Sequence, residues 1–273
     1  MLEFLCRRYN SLFKNSHPEE ANLVSLHSSG QIDRFHQAYF DHELQKGQKV
    51  VEYFAKIASG WQGGRILDFG CGGGGLTFEI AKVAREAIGI DLEPEKLDFA
   101  RAQMTRFKTS NLDFVSYDGS TLPFPDQSFD CIFCIDVIEH LPTPELFVKE
   151  FFRVLAPGGY LLLSFGPPWC HPHGKHMWAK LPGWWTHLLF PRATVMRVAG
   201  FAPQTTWEQL GLHRLTVRKF HKVMRQSPFI NRFLEERINP KVRAFKSFPW
   251  IRELFISEIV GVYQKPLGVN VNP

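Results

Sequence analysis

Between residues 65 and 165 the sequence alternates short, almost wholly apolar segments with segments of helical spacing. Short strands that lack polar alternation are typical of a parallel sheet covered on both faces by helices. The pattern therefore predicts an α/β fold with a doubly wound sheet. Strands are predicted at 65–69, 87–91, 112–117, 129–135 and 160–165, and helices at 76–85, 94–107 and from Thr143 or Pro144 to 155.

On both sides of this region the pattern of hydrophobic and polar residues changes. Residues before 45 mix polar and aromatic positions, and we expect a helical leader that lies against the domain. Residues 166–191 are rich in Pro, Trp and His, 216–226 have the pattern of a basic helix capped by Thr216, and 258–264 have that of a final strand. We expect four parts, namely a leader (1–45), a core (46–165), a lid with a helical elaboration (166–250), and a terminal strand with a tail (251–273).

Composition narrows the class of protein without naming it. The 273 residues are 44% hydrophobic and 22% charged, as in an ordinary globular protein, and the net charge of +5 does not by itself indicate nucleic acid. The first residues carry charges where a signal peptide needs an apolar stretch, which predicts a cytoplasmic location. Cys131 and Cys134 fall on a predicted buried strand, where positions three apart face opposite sides, so we expect two buried apolar residues rather than a metal or redox pair.

A glycine-rich loop follows the first predicted strand. The segment Asp68-Phe-Gly-Cys-Gly-Gly-Gly-Gly lets the backbone turn sharply and approach a ligand closely. Asp91 ends the second strand, where its carboxylate can accept hydrogen bonds from the ribose hydroxyls of an adenosine. Because Gly70, Gly72 and Gly75 also satisfy the G-x-G-x-x-G dinucleotide pattern, these residues alone leave a nicotinamide-type cofactor open.

Three further features favour a cationic methyl donor over a dinucleotide. The carboxylate of Asp68, just inside the glycine loop, suits a cation and would repel a pyrophosphate. Asp118-Gly119 follows the third strand as a second acidic tip, where it can hold an adenine amino group. The segment 122–130, Leu-Pro-Phe-Pro-Asp-Gln-Ser-Phe-Asp, then leads into the fourth strand and its tip at Asp136.

These pieces together resemble the class I S-adenosylmethionine-dependent methyltransferases, in particular the broad group that includes ubiquinone and menaquinone biosynthesis enzymes and many natural-product and sugar methyltransferases. The resemblance covers about residues 50–165 and rests on 66–74, 89–91, 118–119, 122–130, 139–141 and 153–159. It implies a Rossmann-like seven-stranded sheet with an antiparallel last strand, and S-adenosyl-L-methionine as the methyl donor bound by the core. By resemblance the donor pocket is lined by Asp68, Gly70, Cys71, Gly72, Asp91, Leu92, Asp118, Gly119 and Asp136.

Methyl transfer to an oxygen or nitrogen also needs a base, and histidine is the usual one at neutral pH. His140 follows the fourth strand, and it either acts as this base or only caps the next helix. His171, His173 and His176 follow the fifth strand beside the same crevice, and we expect at least one of them to contact the acceptor. A small group of related methyltransferases holds a divalent ion with Glu-x-x-Glu-His and a later His. Because Asp136, Glu139 and His140 match that pattern only in part, we expect no metal.

The aromatic residues after the fifth strand leave alternatives open. Trp169, Trp178, Trp184 and Trp185 with Leu188, Leu189 and Phe190 form a local core that closes the lid, an apolar acceptor wall, or a patch in peripheral contact with a membrane. The basic stretch 214–225 is either a solvated helix face or a site for an acidic acceptor.

The sequence thus predicts methyl transfer to a small-molecule acceptor, first of all a hydroxyl of a quinone precursor, sugar or natural product. The Asn/Asp-Pro-Pro-Tyr and Pro-Cys motifs of DNA methyltransferases are absent, so we expect no nucleic-acid partner. A nicotinamide-dependent oxidoreductase is an alternative, although the sequence has no Tyr-x-x-x-Lys pair. A non-catalytic donor-binding module is the other alternative.

Overall fold

One mixed sheet organises the protein. The computed structural model describes residues 1–13, 32–177, 180–239, 242, 248 and 251–268, so Trp178 and the predicted tail beyond 268 lie outside the described residues. The described chain forms a seven-stranded sheet of order β3-β2-β1-β4-β5-β7-β6. The first five strands pair in parallel, and β7 is antiparallel to both β5 and β6. The predicted fold class is confirmed.

The strands are β1 Arg65–Phe69, β2 Glu86–Asp91, β3 Leu112–Ser116, β4 Phe129–Ile135, β5 Leu155–Phe165, β6 Ile230–Ile238 and β7 Ile256–Gln264. The α-helices are α1 Leu2–Ser11, α2 Ile32–Ile57, α3 Gly75–Ala81, α4 Pro94–Phe107, α5 Pro144–Val154, α6 Thr186–Leu189, α7 Arg192–Val198 and α8 Val217–Gln226. Short 3₁₀ turns lie at Ile138–His140, Glu208–Leu210 and Arg252–Leu254. None of the described helices is both long and apolar enough to cross a membrane.

The strands are apolar because each face of the sheet packs into its own core. Alternate residues of β4 show this directly, since Cys131 and Phe133 belong to one buried cluster and Ile132 and Cys134 to the other. Both cysteines are fully buried. The expectation that the C-x-x-C pair is two buried apolar residues facing opposite sides is confirmed.

Several boundaries differ from the sequence prediction. Helix α3 ends at Ala81 rather than at 85, and β5 already begins at Leu155, before the Pro-Gly-Gly segment. Strand β6 was not predicted, because its sequence Ile-Asn-Arg-Phe-Leu-Glu-Glu-Arg-Ile is too charged for a buried strand. It lies at the sheet edge and leaves its residues partly exposed, and charged side chains are usual on such an edge.

Helix α2 runs through the predicted boundary between the leader and the core, residues 45 and 46, without interruption. The helix packs along α3, next to the glycine-rich loop. The leader and the core are therefore joined by one rigid element, and the part of the leader nearest the core belongs to the site described below.

The segment after β5 builds a small lobe with a core of its own, which we call the cap (residues 166–177 and 180–216). Leu181, Val195, Met196, Trp207 and Leu212 are buried together in the cap, with Trp169 packed against them. Helix α1 is fixed to the same lobe. Asn10 Oδ1 accepts a hydrogen bond from the Gly183 amide at 2.9 Å, and the Tyr9 hydroxyl donates to the Trp184 carbonyl at 2.8 Å.

From the sequence alone, Gly174 and Gly183 are expected to be flexible points within an otherwise bulky lid. The structure shows that this expectation is wrong. A Cβ at Gly174 would lie 2.2 Å from the carbonyl oxygen of Trp169, and one at Gly183 would lie 2.8 Å from Asn10 Oδ1. Both glycines are needed because other atoms approach their backbone closely, and such packing holds the segment in place.

We predict that Gly174→Ala destabilises the protein by about 3 kcal/mol, because the new methyl group must displace backbone atoms of the cap. Gly200→Ala is the matched control. Gly200 has φ +84° with no atom within 4 Å of an added Cβ, so its replacement should cost only about 1 kcal/mol of conformational strain. Urea unfolding of both variants provides the measurement. Equal losses would mean that Gly174 is a flexible point after all.

Candidate active site

The glycine-rich loop between β1 and α3 is shaped by close contacts that only glycine allows. Gly70 has φ +76°, and a Cβ there would lie 2.5 Å from Val137 Cγ2. The carboxylate of Asp91, at the end of β2, accepts a hydrogen bond from the Gly72 amide at 2.8 Å. Asp91 thus holds the loop while remaining half-buried at the strand tip, the position from which a carboxylate can reach ribose hydroxyls.

Asp68 lies beneath this loop and is almost completely buried. Its Oδ2 accepts a hydrogen bond from the Thr77 hydroxyl at 2.7 Å. Burial raises the pKa of Asp68 to about 7, and the negative charges of Glu43 and Asp91 contribute, although the Thr77 hydrogen bond acts in the opposite direction. A cation bound above the loop would favour the ionised form of this carboxyl group.

Leu92, Gly119 and Asp118 form the rim next to the loop. Leu92 Cδ2 would lie 3.1 Å from a Cβ at Gly119, so the two residues face each other across a narrow gap. Asp118 is exposed, and its Oδ1 accepts hydrogen bonds from the amide and hydroxyl of Ser120. Cys71 lies deeper, with Sγ 2.8 Å from a Cβ position at Gly89, and burial raises the pKa of its thiol. A neutral thiol at this depth can give a pocket shape but no charge.

Helix α2 contributes residues that the sequence analysis did not identify. Lys46 Nζ donates to Asp136 Oδ2 at 2.7 Å and lies 3.6 Å from Glu43 Oε1. Burial lowers the pKa of Lys46, but the charges of Asp136 and Glu43 raise it by more. Tyr39 Cε1 lies 3.8 Å from a Cβ position at Gly72. The spacing of Tyr39, Glu43 and Lys46 puts them on one helical face, and that spacing was the available signal.

A second group of polar side chains lies just beyond Asp136. Glu139, His140 and His176 bring one ligand atom each to within 4.8 Å of one another. Glu139 and His140 belong to the 3₁₀ turn after β4, and His176 comes from the cap after β5. These strands pair side by side, with Ile135 opposite Ser164, which explains how residues about 40 positions apart meet.

The pKa values of two members of this cluster are far from their ordinary values. Burial raises the pKa of Glu139 well above its ordinary value, and the negative charge of Asp136 adds to the effect. Burial lowers the pKa of His176 to about 4, with the neighbouring His140 contributing. His176 is consequently neutral at physiological pH. His140 is the exposed member, and its Nδ1 lies 2.8 Å from the carbonyl oxygen of Gly211.

The other two candidate histidines lie apart from this cluster. The rings of His171 and His173 are 5.8 Å apart, and His171 Nδ1 accepts a hydrogen bond from the His173 amide at 3.2 Å. Burial, followed by the nearby charge of His173, lowers the pKa of His171 to about 3. Of the lid histidines, the structure therefore brings His176 to His140, whereas His171 and His173 contact each other.

Some residues of the aromatic segment are buried in the cap, and others are exposed at the surface. Trp169 packs in the core of the cap, with its ring 5.2 Å from that of Trp207, as the local-core alternative predicts. Trp184, Leu188 and Leu189 are instead exposed at the surface.

In the basic stretch, α8 buries Val217, Phe220, Val223 and Met224 and exposes charged residues on its other face. Its predicted cap is confirmed, since Thr216 Oγ1 accepts from the Lys219 amide at 3.1 Å.

This combination of a glycine-rich loop after β1, acidic strand tips and an antiparallel β7 inserted beside β5 defines the class I methyltransferase fold. A family model described as a methyltransferase domain matches residues 67–163. The matched region is therefore a class I S-adenosylmethionine-dependent methyltransferase domain, and S-adenosylmethionine is its methyl donor.

Curated relatives match over the same region. A fatty-acid O-methyltransferase of Mycolicibacterium smegmatis is 37% identical over 39% of this chain and 39% of its own length. A tocopherol O-methyltransferase of Arabidopsis thaliana is 38% identical over 39% of this chain and 30% of its own. A ubiquinone biosynthesis O-methyltransferase of Proteus mirabilis is 32% identical over 42% of this chain and 46% of its own length. The chain spans less than half the length of each of these relatives.

Solved structures agree with the fold over a larger share of the chain. A putative methyltransferase from Bacillus halodurans is 20% identical and superimposes with a TM-score of 0.53 over 80% of this chain and 98% of its own. A [4+2]-cyclase superimposes with a TM-score of 0.56 at 18% identity over 81% of both chains. Because a cyclase shares the fold, the architecture alone does not specify the reaction.

We predict that donor affinity rises with pH through the pKa of Asp68. A cation binds the ionised carboxylate better, so affinity should increase by up to about tenfold between pH 6 and pH 8, and binding below pH 7 should release a proton. Calorimetry in buffers of different ionisation enthalpy measures both quantities. Asp68→Asn should abolish the proton release and flatten the pH profile. The same profile in wild type and variant would show that Asp68 does not sense the donor.

The same pKa gives a stability prediction of defined sign. Asp68 binds its proton more tightly in the folded state than in the unfolded state, so its burial costs stability as the pH rises from about 4 to about 7. Relative to wild type, Asp68→Asn should therefore become more stable across this window, by a few kcal/mol at its upper end. Urea unfolding of both proteins at pH 4 and at pH 7 measures the difference, and a difference that does not change with pH would contradict the prediction.

Proposed function

We propose that this protein transfers the methyl group of S-adenosylmethionine to a hydroxyl oxygen of an apolar small molecule. The observation that carries the proposal is the cluster of Glu139, His140 and His176, which lies one turn of chain beyond the donor-pocket residue Asp136. A buried carboxyl group and two imidazoles at this place can orient an acceptor hydroxyl and assist the loss of its proton.

The reaction is an in-line displacement. The acceptor oxygen forms a bond to the methyl carbon while the bond from carbon to sulfur breaks, the sulfonium becomes a neutral thioether, and the hydroxyl proton is released. Asp91, Asp118 and the glycine-rich loop hold the nucleoside, and Asp68 with the Lys46–Asp136 pair provides charge near its methionine portion. The task of the protein is then alignment and exclusion of water.

In this proposal the cap covers the acceptor, and residues 166–191 act as its lid. Support comes from the contacts between the cap and the strand-four tip, including that of His140 Nδ1 with the Gly211 carbonyl. His140 and His176 act on the acceptor hydroxyl. The contact of His171 and His173 with each other favours a supporting role in the lid for both residues.

An apolar acceptor is supported by two observations. The inner wall of the cap is built from aromatic and aliphatic residues, among them Trp169 and Leu212. Three of the relatives are named for O-methylation, of fatty acids, of tocopherol and in ubiquinone biosynthesis, and all of these compounds are lipid-like. Sugars fit these observations less well. The preference for oxygen over carbon and nitrogen rests on the side chains of the cluster and not on the relatives, since a sterol 24-C-methyltransferase and a phosphoethanolamine N-methyltransferase also match the chain.

We predict transfer of labelled methyl from S-adenosylmethionine to an apolar hydroxyl-containing fraction of a host lipid extract. Asp91→Asn should lower donor affinity by roughly 30- to 100-fold, because one ribose hydrogen-bond acceptor is lost, whereas Asp98→Asn on the exposed face of α4 should leave it unchanged. Donor binding without transfer to any fraction would favour a non-catalytic module. Binding of a nicotinamide dinucleotide in place of the donor would favour the oxidoreductase.

We further propose peripheral contact with a membrane through an outer apolar patch. The patch is formed by exposed residues of α1 and of the cap, namely Leu2 (48% exposed), Phe4 (64%), Leu5 (45%), Leu12 (75%), Trp184 (48%), Leu188 (45%) and Leu189 (58%). The two parts are joined where the rings of Phe13 and Trp184 lie 5.8 Å apart. Exposed Arg8 supplies a positive charge on the same helix. Such a surface suits the boundary of a lipid bilayer, from which an apolar acceptor could be drawn.

We predict that the protein sediments with vesicles of mixed neutral and anionic phospholipids. Replacing Phe4 and Leu12 together by serine should lower the partition coefficient roughly 30-fold, through the loss of about 2 kcal/mol of apolar contact. The double variant Leu146→Ser with Leu267→Ser is the matched control, since both residues are exposed elsewhere, at 55% and 82%. Equal sedimentation of the two double variants would contradict the assignment of the patch.

A further inference from the structure

Helix α8 carries a run of positive charge that the proposed function does not use. Its ten residues, Val217–Gln226, include no Asp or Glu. Arg218, Lys222 and Arg225 are exposed, and their spacing of four and three positions places them on one face of the helix. These three residues, which we call the basic stripe, extend over about 10 Å along the helix axis.

We propose that the basic stripe binds the surface of a bilayer that contains anionic phospholipids, beside the outer apolar patch. This role of the stripe rests on the proposed membrane contact, and it adds the chemical class of lipid that the contact requires. The patch by itself would bind neutral and anionic bilayers alike, because burial of apolar area does not depend on lipid charge. The stripe makes the protein select bilayers by their negative surface charge.

Most of the positive charge of α8 is not neutralised. Arg218 Nε lies 3.4 Å from Glu253 Oε2, and this carboxylate offsets one charge. Lys222 and Arg225, together with the neighbouring Lys219, form no ion pair with a carboxylate in the part of the chain that the structure describes. Three positive charges of one helix are therefore available to an external anionic surface.

The two cations in the first turn of α8 are unfavourable for the stability of the helix. Arg218 and Lys219 lie at its N-terminal end, where the partial positive charge of the backbone favours acidic side chains. Departures from such a local rule are typical of functional surfaces. The charge of these side chains adds to that of the helix end, so the positive potential is strongest where α8 leaves the cap.

The first turn of α8 adjoins the outer apolar patch through a short chain of contacts. Glu253, which pairs with Arg218, also accepts a hydrogen bond from the thiol of Cys170. The carbonyl oxygen of Cys170 accepts from Trp185 Nε1 at 3.0 Å, and the ring of Trp185 lies 6.1 Å from that of Trp184 in the patch. The apolar and basic surfaces are therefore neighbours, as in proteins that insert apolar side chains while their cations meet the headgroups.

The exposed face of α8 suits a lipid surface better than a folded acidic protein. All apolar residues of the helix are buried in the core, namely Val217, Phe220, Val223 and Met224. The face thus offers charge without an apolar anchor, whereas interfaces between proteins usually depend on a central aromatic or aliphatic residue. A small anionic molecule fits less well too, because the cations lie along a convex helix and do not converge on a cavity.

The test is sedimentation of the full chain with vesicles of phosphatidylcholine alone and of phosphatidylcholine mixed with phosphatidylserine. We expect wild type to bind the mixed vesicles roughly tenfold more tightly or better, and to lose this advantage in about 0.5 M salt, which screens the attraction. The double variant Lys222→Gln with Arg225→Gln should bind the mixed vesicles roughly 30-fold more weakly and the neutral vesicles as wild type does.

The double variant Lys49→Gln with Lys56→Gln is the matched control. It removes the same charge from exposed positions of α2, which packs on the opposite face of the sheet from α8. Its affinity for both kinds of vesicle should stay within about twofold of wild type. Calorimetry should give both double variants the donor affinity of wild type, which shows that both are folded.

Each failure of this test has a distinct meaning. Equal binding of the two double variants to mixed vesicles would overturn the basic stripe. Wild-type binding to neutral and mixed vesicles alike would also overturn it, while the outer apolar patch would stand. Binding to neither kind of vesicle would refute the proposed membrane contact and the stripe together, and methyl transfer to the lipid extract would still be tested on its own. Retention on immobilised polyglutamate without binding to vesicles would replace the bilayer by an acidic protein.

Discussion

The amide of Asp136 donates a hydrogen bond to the Ser164 carbonyl at 2.8 Å, and this bond holds the ends of β4 and β5 side by side. Asp136 itself adopts φ +55° there, which turns the chain from the strand into the 3₁₀ turn that carries Glu139 and His140. Gly166 begins the cap directly after the paired strand. The placement of Asp136, of Glu139 and His140, and of the start of the cap beside one another depends on this point.

Much of the fold, and the place in it of the residues expected to bind the donor, was predictable, because the features that determine them are local in sequence. The apolar runs of β1 and β4 and the helix α4 have the predicted bounds. Asp91 and the glycine loop follow their strands directly, so knowing the strands placed them at one edge of the sheet. The resemblance to a known family added the identity of the donor, which the glycine pattern alone left ambiguous.

The rest depended on contacts between distant residues. Lys46 is 90 positions from Asp136, and no periodicity connects the two. The separation of His176 from His171 and His173 also follows from how the cap folds onto β4. Gly174 was misinterpreted because glycine serves both flexible turns and close approaches of the backbone, and only the surrounding atoms distinguish the two. Strand β6 was not predicted from the sequence, because an edge strand need not be apolar.

The position of β7 has a consequence for synthesis of the chain. β5 ends at Phe165, whereas its antiparallel neighbour begins only at Ile256. At about 5–20 residues per second, a ribosome needs on the order of ten seconds to make the segment between them. During that interval the long, buried strand β5 has an open edge that could pair with another nascent chain. The charged strand β6 is synthesised just before β7, and it leaves the completed sheet with an edge that other strands pair with poorly.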